Sequence, residues 1–344
     1  MSSNTSIVVC GKKYDIGTRV VLWNESGGMS AYDTAVYETE DRKTGKITVV
    51  KGKRYKSRLT LGGTPDLEKL KKIVWQFVLH HSGLYRSLDT YETLQQRGLS
   101  VHFICDDDGA LYQCLDVRER AYQAGGNNAM SIGVEIDSRA VAGRYPDAYN
   151  EANQRRHKVG PRRVVLDTIH GMKMKGFDYS DAQYATLIKL GRALIEIFPL
   201  IKPDFARNTG GSIIKTELAN PKSHQGFICH YQITKQKIDP ISFDFARFLT
   251  GIRGSTHDVT VPTTPTHNEP NQAPVVETYS LDTWLDRQKA LKQLGYDPGQ
   301  FDGVFGPNTK EALRAFQAYA GLSPDGIWGP RTLIAMRQAL GGAK

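Results

Sequence analysis

The chain is poor in cysteine, with four in 344 residues: Cys10, Cys105, Cys114 and Cys229. None belongs to a C-x-x-C pair, which argues against a cysteine-rich zinc site. Cys105 and Cys114 flank the turn Asp107-Asp108-Gly109 and could face each other across a hairpin. A disulfide and two free thiols both stay open there. No apolar run approaches the ~20 residues of a membrane-spanning helix, so membrane insertion is not expected. The first six residues, Met1-Ser2-Ser3-Asn4-Thr5-Ser6, lack the charged and apolar regions of a secretory signal. The expectation is a protein made in the cytoplasm and carried by another system wherever it works outside. Also missing is any basic block with interleaved aromatics. The net charge of +9 therefore points either to an anionic partner, with nucleic acid the weaker choice, or to a basic surface kept for solubility.

What is present is ordinary for a folded chain: 40% hydrophobic and 24% charged, at a length for two domains or three. Residues 1–65 alternate β-branched and aromatic residues with polar ones. Ser6–Cys10, Thr18–Trp23 and Lys46–Val50 predict strands, with a hairpin turn at Thr44-Gly45. This is a β-rich N-terminal extension in which no chemistry is visible. Asp66–Trp75 predicts a short helix. Strands and helices then alternate, so residues 66–252 predict an α/β domain with a mixed central sheet flanked by helices.

Inside that domain, Phe77-Val78-Leu79-His80-His81-Ser82-Gly83 is an apolar run ending in two histidines. A strand end is a stiff mount, and neutral imidazole is the commonest protein ligand for zinc; a structural histidine is the ordinary alternative. On a regular strand His81 points away from His80, which makes it structural or a support for a ligand. Ser87–Arg97 predicts a helix, and Val101–Cys105 with Ala110–Leu115 a hairpin. Ser131–Asp137 is an apolar strand that carries Glu135. A buried acid is costly unless paired, so Glu135 invites a functional reading beside that of a rim carboxylate.

Residues 138–177 are polar and basic, a long surface excursion that is either a functional insertion or solvated decoration. Ser180 and Gln183 form a capping-box pattern opening a helix that Pro199 closes. Phe227–Cys229 is a last strand. It delivers His230, 150 residues after His80, and the loop beyond supplies Lys237 and Asp239. His102 and His224 are further candidates for substrate contact.

From 253 to 279 the composition turns to proline, threonine and asparagine, the pattern of an extended linker. Beyond it Asp302-Gly303-Val304-Phe305-Gly306-Pro307-Asn308-Thr309 recurs as Asp325-Gly326-Ile327-Trp328-Gly329-Pro330-Arg331-Thr332. Proline suits the first turn of a helix, where its missing N–H goes unneeded. Residues 280–344 therefore predict a small all-α domain of three helices.

On the doubled D-G-[VI]-[FW]-G-P-x-T, residues 281–340 resemble the three-helix peptidoglycan-binding domain. Residues from about 70 to 247 resemble the zinc-dependent N-acetylmuramoyl-L-alanine amidases, the group of phage lysozyme-type amidases and peptidoglycan recognition proteins. Four stretches carry this: Val78-Leu79-His80-His81-Ser82; Asn128-Ala129-Met130-Ser131-Ile132-Gly133-Val134-Glu135; His230; and Lys237-Ile238-Asp239-Pro240. The resemblance implies that His80, His230 and Asp239 hold Zn2+, with Glu135 as catalytic acid–base and Lys237 stabilising an oxyanion. It implies hydrolysis of the amide between N-acetylmuramic acid and L-alanine, with peptidoglycan as the partner; a monomer is expected, although the sequence itself does not show the oligomeric state. The catalytic tyrosine of the phage enzymes falls on Val101, which favours the Glu135 route. The Trp-His-Ala-Gly frequent in the family stands as Tyr122-Gln123-Ala124-Gly125. Two other readings remain at this point: a metal-free module that binds muropeptide without cutting it, and a zinc peptidase acting within the stem peptide.

Overall fold

The structure, a computed structural model, describes residues 4–40, 47–58, 66–254, 281, 283–320, 322, 326 and 328–341. The turn expected at Thr44-Gly45 and nearly all of the expected linker lie outside them. Two units are distinguished, a larger one of Met1–Asn24 and Gly28–Pro262 and a smaller one of Glu25–Gly27 and Thr263–Lys344. No described helix is long and apolar enough to cross a membrane.

Six strands build the central sheet of the larger unit: β1 (Val20–Leu22), β2 (Gln76–His81), β3 (Phe103–Cys105), β4 (Leu111–Gln113), β5 (Ser131–Ile136) and β6 (Gly226–Cys229). Their order is β6-β2-β5-β3-β4-β1. β6, β2, β5 and β3 are parallel neighbours, whereas β3 and β4 form the antiparallel hairpin expected around Asp108-Gly109. The near-continuous apolar runs of β2 and β5 suit central parallel strands covered on both faces.

The two-residue period of the strands sorts their side chains. Phe77, Leu79, Ile132, Val134, Ile136 and Phe227 face a core shared with helices α2 (Asp181–Ile197) and α3 (Phe245–Arg253). Helix α2 starts with the expected capping box: Gln183 N donates to Ser180 Oγ at 3.0 Å, and Ser180 N to Gln183 Oε1 at 3.0 Å. The other face carries Val78, His80, Gly133, Glu135, Ile228 and His230. Part of it is covered by α1 (Ser87–Gln96), whose Tyr91 and Leu94 pack on Ile104 and Leu115. Chemistry thus has one side of the sheet and packing the other.

The helix before β2 is shorter than the sequence predicts, spanning Leu67–Lys71 with Asp66 as its cap. Trp75 N donates to Met130 O at 3.0 Å, so this backbone is drawn into the sheet rather than into another helical turn.

The N-terminal segment is not an appendage. β1 is the edge strand of the central sheet, and Ile7, Val9, Val20 and Leu22 lie in the main core. Two buried arginines extend from it. Arg54 donates to the carbonyls of Leu99 and Ser30 at 3.1 and 3.2 Å. Arg58 donates to those of Val117, Asn128, Ala129 and Ser131, tying down the loop that leads into β5. Carbonyl oxygens gathered on one guanidinium offset much of its desolvation.

In the smaller unit, helices Trp284–Gln293, Pro307–Tyr319 and Pro330–Gly341 surround Ala290, Leu291, Leu313, Phe316 and Met336. Two of them begin at the prolines of the repeat. A glutamine staples each repeat loop. Gln288 accepts from Gly303 N at 2.9 Å and donates to Thr309 Oγ1 at 3.1 Å. Gln317 accepts from Gly326 N at 2.8 Å and donates to Thr332 Oγ1 at 3.0 Å. Trp284 stacks on Phe305 at 4.1 Å and meets Trp328 edge-on at 5.9 Å, leaving an aromatic patch beside the first loop.

Candidate metal centre and active site

β2 and β5 end side by side, and their parallel register sets His80 opposite Glu135. β6 ends at Cys229, and the chain turns at once into the single helical turn His230–Ile233. The loop that follows is closed by Tyr231 N donating to Asp239 O at 3.2 Å, which returns Asp239 to His230. Three donors from three places in the chain therefore meet. His80 Nδ1 and His230 Nδ1 are 2.9 Å apart, and Asp239 Oδ2 lies 2.9 Å from the second and 3.2 Å from the first.

These residues fit a metal ion. Burial, with His230 beside it, pushes the His80 imidazole down to about 4, so at neutral pH the ring is uncharged, the form in which an imidazole can ligate a metal. Burial opposes the charge of Asp239, but His230 and His80 together hold its carboxyl well below the usual carboxylate range. A proton on one Nδ1 bonds only its own two contacts of this 2.9–3.2 Å triangle, whereas one cation at its centre satisfies all three donors. Tetrahedral zinc bonds of about 2.0–2.1 Å imply ligand separations of about 3.3 Å, close to those observed. With three protein donors, one position is left for water or substrate, the pattern of catalytic zinc sites.

Glu135 stands beside this triangle with its Oε2 buried and unpartnered among the described residues. Burial, then Asp239 and Asp137, push its carboxyl well above the usual range, while Lys237 and Arg97 pull it back. Lys237 lines the same cleft of about 950 Å³ as Glu135, His230 and Asp239. Its carbonyl accepts a 2.9 Å bond from His170 Nε2.

That bond comes from the excursion at 138–177, where the strands Val164–Ile169 and Met172–Phe177 pair as a hairpin with His170 at its turn. The hairpin packs on the ligand loop: Ser242 N donates to Asp167 Oδ2 at 2.8 Å, and a methyl group on Gly176 would overlap Ser242 and Ile241. The segment braces the site rather than decorating the surface.

The other histidines sort by geometry. His81 turns its Nδ1 to Tyr179 Oη at 3.4 Å and Ile241 N at 3.3 Å, away from the triangle and onto the loop that carries Asp239. His102 does not reach the cleft. It is fully buried, accepting from Gly133 N at Nδ1 and sitting between Arg58 and the Glu119 carbonyl at Nε2. His224 is likewise structural, with its Nε2 on Phe227 O at 2.8 Å. All four cysteines are free: Cys105 packs into the main core and Cys114 into the cluster under α1.

Three residues of the site escape sequence reasoning. The Gln123 amide approaches β5 so closely that a methyl group on Gly133 would sit 1.5 Å from its Oε1. A glycine inside an otherwise apolar strand signals such an approach. Asp137, at the end of β5, accepts from Ser82, Ser87 and Thr90 hydroxyls at 2.9, 2.5 and 2.5 Å, binding the loop after His81 to α1. Lys222 enters the cleft from the loop before β6. For these last two the sequence carries no local signal.

Residues 70–242 match the N-acetylmuramoyl-L-alanine amidase family. The chain belongs to this family. Residues 282–336 match a peptidoglycan-binding domain family. Among solved structures, the selenomethionine derivative of AmpD is 19% identical; the match covers 58% of this chain and 90% of that one, with a TM-score of 0.33. AmpDh3 from Pseudomonas aeruginosa, in complex with anhydromuramic pentapeptide, is 15% identical over 87% of this chain and 96% of its own, with a TM-score of 0.35. The amidase LysC from Clostridium intestinale URNW is 13% identical over 53% and 86%, with a TM-score of 0.31. A curated protein of Kitasatospora aureofaciens, described as uncharacterised, is 45% identical over 58 residues; the match covers 15% of this chain and 49% of that protein. The chain thus spans about half the length of that relative.

Proposed function

We propose that this chain is a zinc-dependent peptidoglycan hydrolase that cuts the amide between the lactyl group of N-acetylmuramic acid and L-alanine. The observation that carries the reading is the convergence of His80, His230 and Asp239 beside Glu135, whose Oε2 is buried and unpartnered among the described residues, at one open cleft. Zinc, when bound by that triad, supplies Lewis acidity and water activation at neutral pH. Glu135 takes a proton from the attacking water and returns it to the leaving alanine nitrogen. Lys237 balances the negative charge that develops on the carbonyl oxygen, and the His170 bond holds the backbone from which it reaches. The smaller unit keeps the enzyme on the wall, which the protein meets outside the cytoplasm after release or delivery.

A module that only bound muropeptide would have no use for a carboxyl oxygen left buried and unpartnered beside such a triad. Digestion of purified sacculi, read by mass spectrometry, tests the proposal. The wild type is expected to release stem peptides beginning with L-alanine, and Glu135→Gln to lose about 10²-fold or more in rate while still holding zinc. Fragments cut inside the stem would make it a peptidase. Equal release by both proteins would remove Glu135 from the chemistry.

A further inference from the structure

The cleft extends beyond the triad, along the sheet to the end where the strands begin. There one buried side chain, Gln76 at the start of β2, holds both walls. Its Nε2 donates to Pro221 O at 2.7 Å and His224 O at 2.8 Å, fixing the loop before β6. Its Oε1 accepts from Asn127 Nδ2 at 2.8 Å, fixing the turn Gly125–Asn127 on the opposite wall. Trp75 Nε1 adds a 3.0 Å bond to Lys222 O, so the lysine's backbone is anchored beside Gln76.

The Lys222 side chain lies across Gly126. A methyl group there would sit 2.9 Å from Lys222 Cε and 3.2 Å from Nζ, so the end of the lysine would have to move aside. The ammonium has no ion-pair partner among the described residues. An exposed cation at the rim of the cleft, on a backbone anchored beside Gln76 and with no counter-ion, is placed for an anionic group of a ligand.

Resting on the amidase reading, the geometry points to Lys222 as the residue that selects a carboxylate far along the stem peptide. The triad marks where the bond to L-alanine lies. From Gln76 to His80 is four residues of strand, roughly 13 Å at about 3.3 Å per residue. An extended peptide covers that distance in about four residues. The sugar side of the cut bond carries no charge once its lactyl carboxyl is in the amide. A carboxylate on the third or fourth stem residue is the group that reaches Lys222, so the peptide runs from the metal end toward the start of β2 and β6.

The test pairs two soluble substrates: an N-acetylmuramoyl tetrapeptide with free carboxylates on residues three and four, and the same compound amidated at both. The wild type is expected to favour the free acid in kcat/KM by roughly five- to tenfold, the scale of one partly exposed charge-assisted bond. Lys222→Ala should bring the ratio to about one, and Lys222→Glu should reverse it. Gly126→Ala, which crowds the ammonium, should lower it as well. A wild-type ratio near one, or a ratio that Lys222→Ala leaves in place, overturns the assignment. The products separate the two proposals: peptides beginning with L-alanine uphold the amidase reading whatever the ratio, and their absence from both substrates removes it.

Discussion

At the scale of the residue, Asp137 shows how the site is stiffened from below. Its carboxylate gathers three hydroxyls, from the loop after His81 and from α1, at the end of the strand that carries Glu135. Burial, with Asp106 nearby, pushes this carboxyl up to about 8 although the three hydroxyls pull it down. A raised folded-state pKa means that the contribution to stability is complete below the unfolded value near 4. It is lost as pH rises toward 8. Chemical denaturation of the wild type across that window should show stability falling by at most about 1.4 kcal/mol per pH unit relative to Asp137→Asn, which has no proton to lose. Parallel profiles for the two proteins would show that Asp137 keeps one protonation state throughout.

At the scale of the element, the hairpin 164–177 is where sequence and structure part. The strand ends could be read because a period of two and an apolar run mark β2, β5 and β6, and what ends such a strand is displayed. His80, Glu135 and His230 were legible for that reason. The hairpin's role was not, because its partners, Lys237 and Ser242, are about 70 residues away and no local pattern encodes them. His102 misled for the mirror reason: a histidine before a strand looks available until Arg58, 44 residues earlier, is seen to cover it. The N-terminal segment lay outside the resemblance for a related cause, since its strand joins the sheet only at the edge. If the hairpin steadies Lys237 through its carbonyl, His170→Ala should lower kcat about three- to tenfold, the worth of one hydrogen bond, with KM and bound zinc unchanged. Steady-state kinetics beside elemental analysis reads this. Loss of zinc with activity would mean that the hairpin acts on Asp239 instead.

At the scale of the whole molecule, the question is why a complete catalytic unit shares a chain with a three-helix unit that has its own core. The smaller unit matches a peptidoglycan-binding domain, so the effect to test is on where the enzyme is rather than on what it does. Tethering turns each encounter with an insoluble polymer into many, because the effective concentration of the catalytic unit near the wall then depends on the tether. The net charge of +9 adds attraction to a polymer whose stem peptides carry carboxylates. A chain ending at residue 254 should therefore turn over a soluble muramoyl peptide at the full-length rate. On sacculi, at enzyme concentrations below the affinity of the smaller unit for the wall, it should be slower by at least about tenfold. The comparison must be made on both substrates, since an equal loss on each would show that residues beyond 254 stabilise the catalytic unit instead of placing it. Added salt supplies the second axis: it should weaken wall retention of the shortened chain more than that of the full chain, whose aromatic patch around Trp284 and Phe305 is not screened.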